Sequence, residues 1–78
     1  MPRYFFDIVN GQGPMRDDEG VELLDPETVR KVAARIVSDL ARDEMPGEQA
    51  VEITVNVRDE SDRKVFIGKM HFAGQWQS

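Results

Sequence analysis

The sequence predicts an α+β fold in which one amphipathic helix packs on one face of a four-stranded, mainly antiparallel sheet. Three observations support this prediction. A central stretch has the apolar spacing of a helix, the segments on both sides of it have strand patterns, and an Asn-Gly pair separates the first two of those segments. The element order is ββαββ, which is that of a two-layer sandwich.

The N-terminal hairpin begins with a strand over residues 3–9, a segment rich in aromatic and β-branched residues. Its residues alternate between two faces, with Tyr4, Phe6 and Ile8 on one and Phe5, Asp7 and Val9 on the other. Asn10-Gly11 predicts a tight turn, because both residues tolerate positive φ. A short second strand is expected around residues 15–16, and residues 21–24 are a further extended candidate after an acidic turn.

The helix is predicted over residues 26–43. Asp25 is a favourable N-cap, and Pro26 suits the first helical position. The expected buried face consists of Val29, Val32, Ala33, Ile36 and Leu40. Met45-Pro46-Gly47 is expected to end the helix.

Two further strands follow the helix. Residues 50–58 alternate cleanly and are expected to turn four side chains inward, namely Val51, Ile53, Val55 and Val57. Residues 64–72 form the last strand, in which Gly68 suggests a bulge. A right-handed crossover by the helix, with the first strand lying between the second and the third, predicts the strand order 2-1-3-4.

The composition excludes several classes of protein. The 78 residues contain no Cys, which excludes a disulfide framework, thiolate metal sites and a cysteine nucleophile. No signal peptide is recognisable, and no apolar run approaches the roughly 20 residues that cross a bilayer, so a cytoplasmic protein is expected. The length predicts a single domain over residues 1–78. The net charge of -5 argues against general nucleic-acid binding.

Apolar side chains on both faces of the first and last strands predict association with another chain. One helix covers one face of the sheet, so the apolar residues of the other face would form an unusually large exposed patch in a monomer. Either the tail with Trp76 covers them, or a second copy or protein partner does, or a bulge or twist turns the strand ends into one core. The candidate interface residues are Phe5, Val9, Val65, Ile67 and Trp76.

The charged residues are better candidates for structural roles than for catalysis. Asp7 lies inside an apolar strand, so we expect a structural ion pair with Arg16 or Arg58. Residues 17–27 contain six acids and no base, a run that turn chemistry and the helix dipole explain, although cation binding stays open. His71 is expected on the solvent side of its strand. No catalytic, cofactor-binding or metal-binding residue is predicted.

Three strings carry a family resemblance. Residues 1–7 read Met-Pro-Arg-Tyr-Phe-Phe-Asp, residues 18–20 read Asp-Glu-Gly, and residues 58–60 read Arg-Asp-Glu before the last strand. Together they resemble a family of short bacterial proteins that is catalogued as a domain of unknown function. The family often has Gly soon after the Arg-Asp-Glu string, where this chain has Ser61-Asp62. The resemblance implies no activity and no cofactor.

These observations favour a non-enzymatic interaction or regulatory module that acts as a homodimer or through a protein partner. The alternative is an antitoxin-like or nucleic-acid-associated regulator, because the opening strand and hairpin loosely resemble small antitoxins and Lys31, Arg35 and Arg42 form a basic stripe on the helix. A third hypothesis is an enzyme whose cleft is shared by two copies and contains Asp7, His71 and acidic-turn residues.

Overall fold

Six elements build the described part of the chain. The computed structural model describes residues 2–11, 13–44 and 50–77. In chain order the elements are β1 (Arg3–Asn10), β2 (Gly13–Met15), β3 (Val21–Glu22), α1 (Pro26–Glu44), β4 (Ala50–Arg58) and β5 (Lys64–Ala73). The predicted α+β fold, with one helix on a mainly antiparallel sheet, is confirmed. The predicted helix stop at residues 45–47 lies outside the described residues.

All strand pairs in the described sheet are antiparallel, and the main path runs β2-β1-β4-β5. This order differs from the predicted one by a fifth, two-residue strand, because β3 also pairs with β1, at Arg3 and Tyr4. The central β1–β4 pairing sets Phe6 opposite Val57 and Asp7 opposite Asn56. Residues far apart in sequence therefore meet in the middle of the sheet.

The N-terminal hairpin differs in detail from its prediction. Its second strand covers Gly13–Met15 rather than residues 15–16, and Asn10 pairs with Gly13. The left-handed backbone is at Gly13, with φ 104°, whereas neither Asn10 nor Gly11 has positive φ. Among the described residues of this turn, positive φ is therefore found at Gly13 and not at the Asn-Gly pair.

The helix begins at the predicted cap and packs across β4 and β5. The N–H of Glu27 donates to Asp25 Oδ1 at 3.0 Å, which satisfies one of the free donors of the first turn. The buried core residues are Phe6, Val29, Ala33, Val51, Ile53, Val55 and Val57. The predicted inward face of β4 is confirmed, and the core lies between the helix and one face of the sheet.

The predicted bulge at Gly68 is wrong. Gly68 pairs in register with Val55, and a Cβ there would lie 3.5 Å from the Phe66 ring, which is an ordinary contact. The register shifts instead at the end of the hairpin, where Val57 pairs with Phe66 but Arg58 pairs with Lys64. Because the extra residue at this point is Val65, the irregularity accompanies the β4–β5 turn and not the glycine.

Candidate interaction site

Asp17 holds the acidic turn against β1. Its Oδ2 accepts a hydrogen bond from the N–H of Phe6 at 3.0 Å, and its Oδ1 accepts from the N–H groups of Glu19 and Gly20 at 3.1 and 3.0 Å. A short carboxylate side chain can satisfy backbone donors of its own turn in this way. Asp17 thus gives the N–H of Phe6 an acceptor beyond the end of β2.

Arg58 connects β4 to β1 and to the same turn. Its Nε donates to Asp7 Oδ2 at 2.8 Å, and its Nη2 donates to the carbonyl oxygen of Asp17 at 2.7 Å. Its guanidinium carbon lies 4.5 Å from the centroid of the Phe5 ring. Because the Arg58 side chain is only 11% exposed, these partners compensate a charge that has lost most of its water. We call Asp7, Asp17 and Arg58 the clamp.

The pKa of each clamp carboxyl group, Asp7 and Asp17, is lower than its ordinary value. Burial alone would raise the pKa of Asp7, but hydrogen bonds from Arg58 and from the N–H of Asp17, together with the charge of Arg58, outweigh it. Burial opposes the shift at Asp17 too, where the N–H groups of Phe6, Gly20 and Glu19 bring its pKa below the usual value. Both groups therefore stay ionised at neutral pH as structural acceptors.

Gly20 allows the acidic turn to approach β1 closely. Its φ is 74°, and a Cβ at this position would lie 2.9 Å from the Tyr4 carbonyl oxygen, from Arg3 Cγ and from Phe5 Cε2. Any other residue would need both a strained backbone and a displaced strand. The Arg3 guanidinium completes the attachment by donating to the Glu19 carbonyl and to Glu22 Oε1, each at 2.7 Å.

The two predicted partners of Asp7 lie in different places. Arg58 makes the ion pair, while Arg16 lies 3.8 Å from Asp18 and 4.0 Å from Asp62 at the exposed surface. Sequence analysis missed the role of Asp17. The available signal was its spacing from Gly20, since an Asp three residues before a left-handed Gly is typical of a turn that the Asp side chain stabilises.

The predicted interface residues do not form one uniform patch. Phe5 is half-buried beneath Arg58, whereas Val9, Val65, Ile67 and Trp76 are 42%, 45%, 54% and 94% exposed. Trp76 therefore does not cover the sheet. Four exposed apolar residues were not predicted, namely Met15, Val21, Leu24 and Phe72.

Exposed apolar residues and an unpaired strand edge coincide at β5. Over its ten residues β5 pairs with β4, and no other described strand pairs with it. Ile67 lies opposite Asn56 on the face away from the helix, here called the outer face, and Phe72 lies opposite Val51 on the helix face. An edge strand presents unpaired N–H and C=O groups in a row, which makes it a template for another strand.

The titratable residues suggested for other roles are dispersed. His71 Nδ1 lies 3.4 Å from Glu52 Oε2, and both side chains are exposed. Within residues 2–11, 13–44 and 50–77, no group of three or more His, Asp or Glu side chains converges as a metal site would. Arg42 of the helix stripe lies 3.6 Å from Asp39. No helix in the described chain is long and apolar enough to span a membrane.

The fold and this site define a small α+β protein whose sheet has one edge fastened by a clamp and one edge with which no further described strand pairs. Residues 3–71 match the family described as domain of unknown function DUF6894, and the chain belongs to that family. Neither the curated proteins nor the solved structures gave a match.

Proposed function

We propose that the chain is a non-enzymatic interaction module that binds an extended segment of another protein along β5 by strand addition. The observation that carries this proposal is the ten-residue open edge of β5, with exposed apolar side chains on both of its faces. Strand addition uses main-chain hydrogen bonds for affinity and the alternating side chains for specificity.

The geometry of β5 supplies both requirements. Each backbone hydrogen bond to an added strand contributes about 1 kcal/mol net, so several of them over a ten-residue edge give useful affinity. Val65 and Ile67 are half-exposed, and Phe72 is 40% exposed. An added strand would cover part of this apolar surface, which favours binding further.

The ionisable groups support a binding role over a catalytic one. Asp7 and Asp17, the least exposed of the candidate acids, are occupied by Arg58 and by backbone N–H groups. His71 is exposed and contacts an exposed Glu52 on the neighbouring strand. A general acid or base needs a reactive group aimed at a substrate, and these groups act on one another instead.

A library of ten-residue peptides displayed on phage tests the proposal. We expect selection against the intact chain to enrich peptides whose apolar residues alternate, and we expect these peptides to shift the NMR signals of β5 amides. Ile67→Lys should weaken binding at least tenfold, because it places a charge on the surface that the added strand would cover. Leu24→Lys is the matched control, since it makes the same change at an exposed apolar residue before α1.

Two results would contradict the proposal. One is the absence of any enriched peptide that binds the purified chain. The other is a set of peptides that shift signals elsewhere and respond to Leu24→Lys as strongly as to Ile67→Lys. Circular dichroism of both variants establishes that each is folded.

A further inference from the structure

We infer that the segment bound along β5 is acidic, with carboxylate side chains toward the outer face of the sheet and apolar side chains toward the helix face. This inference rests on the strand addition proposed above and specifies the chemistry of the partner. It is carried by the distribution of charge along β5 and by the absence, among the described residues, of a carboxylate within ion-pair distance of Lys64 and Lys69.

The segment that contains β5 is entirely basic in its charged residues. Residues 63–77 include Arg63, Lys64 and Lys69 and no Asp or Glu, although acids outnumber bases 15 to 10 in the whole chain. The opposite edge of the sheet has the opposite character, with six acids and no base over residues 17–27. The acids of that edge lie beside Arg3, Arg16 and Arg58, whereas the bases of β5 have no acid within their own segment.

The two lysines of β5 have no acidic partner among the described residues. Arg3, Arg16, Arg42, Arg58 and Arg63 each lie within 4.0 Å of a carboxylate. Among the residues that the structure describes, no such contact involves Lys64 or Lys69, and the same is true of Arg30, Lys31 and Arg35 on α1; both β5 lysines are exposed. An unpaired cation on a strand edge remains available to a carboxylate of an incoming chain.

The register of β5 places these charges on one face. Lys64 lies opposite Arg58 and Lys69 opposite Thr54, both on the outer face, where Ile67 lies between them. The helix face of β5 carries Phe66, Gly68, Met70 and Phe72. Since side chains directly opposite each other in neighbouring strands interact, a complementary strand alternates carboxylates on the outer face with apolar residues on the helix face.

The same pattern disfavours a second copy of this chain as the occupant. Pairing β5 with β5 around a two-fold axis normal to the sheet would bring both rows of lysines to the same outer face, and like charges across a strand pair are destabilising. Lysine on an edge is a common device against pairing with identical edges. Here the lysines disfavour pairing with a second copy and leave the edge accessible to an acidic strand.

Two end-blocked ten-residue peptides test the inference, one alternating Val with Glu and the other alternating Val with Lys. We expect the Glu peptide to bind the full chain about tenfold more tightly than the Lys peptide at low salt, because the two lysines each form a modest surface ion pair with the Glu peptide and repel the Lys peptide. Added salt should reduce the difference. The double variant Lys64→Glu/Lys69→Glu should reverse the preference.

The matched control is Lys31→Glu/Arg35→Glu, which makes the same charge change on exposed residues of α1. We expect the control variant to keep the parent's preference for the Glu peptide. Equal affinity for both peptides, or a preference that the control shifts as much as the β5 variant does, would overturn the inference.

Other outcomes separate this inference from the proposed function. Strand addition would stand, and the acidic partner would be wrong, if phage-selected peptides bind β5 but are neutral or basic. A β5–β5 dimer, detected by light scattering and lost in Ile67→Lys, would identify a second copy as the occupant and overturn the inference. Single-stranded DNA that binds more tightly than the Glu peptide, and is released by Lys64→Glu/Lys69→Glu, would overturn it as well.

Discussion

The two edges of the sheet are built in opposite ways. On one side, β2 and β3 are three and two residues long, and Pro14 removes one backbone donor from the edge. The clamp and Gly20 fasten the acidic turn beside them. On the other side, β5 runs for ten residues with one side unpaired among the described strands.

The difference indicates where this fold closes itself and where it can accept another chain. Short strands, proline and irregular turns are the usual ways in which a protein prevents pairing at an edge. Only the β2–β3 edge has all of them. The β5 edge has lysines instead, which select against like-charged strands without removing the main-chain template.

Gly20→Ala should give the largest loss of stability, because it displaces the acidic turn from β1. We expect the free energy of unfolding to fall by about 3 kcal/mol, since the new Cβ meets the Tyr4 carbonyl and the backbone is strained for any side chain. Urea unfolding measures the loss. Gly11→Ala, where a Cβ meets nothing within 4 Å, should change stability by less than about 0.5 kcal/mol. Similar losses in the two variants would show that the close approach of the turn is unimportant.

Asp17→Ala should have the next largest effect, about 2 kcal/mol, because three backbone N–H groups lose their acceptor and only some of them can reach water. The control is Asp18→Ala, whose side chain is exposed and whose nearest ion-pair contact is 3.8 Å away. Urea unfolding of this pair measures the contribution of the clamp directly. A loss at Asp18 equal to the loss at Asp17 would assign the stabilisation to the general acidity of the turn.

Low pH should reduce the free energy of unfolding, because it protonates the Asp7 and Asp17 carboxylates that hold the acidic turn against β1. Asp7 and Asp17 each have a lower pKa in the folded protein than the ordinary value of 3.8. Their ionised forms therefore stabilise the fold fully above pH 3.8, and this stabilisation is lost as the pH falls through the lower pKa of the folded state. Asp7→Asn should therefore be less stable than the parent at pH 7, and the difference should shrink as the pH falls below 3.8. Denaturant unfolding across that range checks this expectation, and a difference that stays constant with pH would contradict it.

The smallest effect on stability is expected at the open edge. Ile67→Lys should change the free energy of unfolding by less than about 0.5 kcal/mol, because the side chain is already 54% exposed in the free protein. Thermal and urea unfolding provide the measurement. A loss above about 1.5 kcal/mol would show that Ile67 contributes to the core of the free chain and is not only an exposed binding residue.

Local patterns predicted the regular elements well and the clamp only in part. The helix cap at Asp25 and the inward face of β4 follow from nearest-neighbour rules, and both are present. The partner of Asp7 depends on the register between β1 and β4, which joins residues 51 positions apart. Periodicity alone does not set such a register, so Arg16 and Arg58 could not be distinguished from the sequence.

The unpaired edge of β5 could be predicted from the sequence only in part, for a related reason. Alternation indicated that Val65 and Ile67 lie away from the helix, but strand order decides whether they lie at an edge. The Phe5 ring is half-buried between Arg58, which lies opposite it on β4, and Gly20 of the acidic turn. A face assignment therefore overestimates exposure wherever a long side chain from the next strand covers an aromatic ring.

Hydrogen exchange with the Val–Glu peptide tests the comparison of the two edges most directly. In the complex, alternate amides along β5 should exchange more slowly than in the free chain, because an added strand pairs only the backbone groups that point outward. Amides of β2 and β3 should be unchanged. Binding that slows exchange at β2 and β3, or that leaves β5 unprotected, would contradict the assignment of β5 as the edge that accepts a partner.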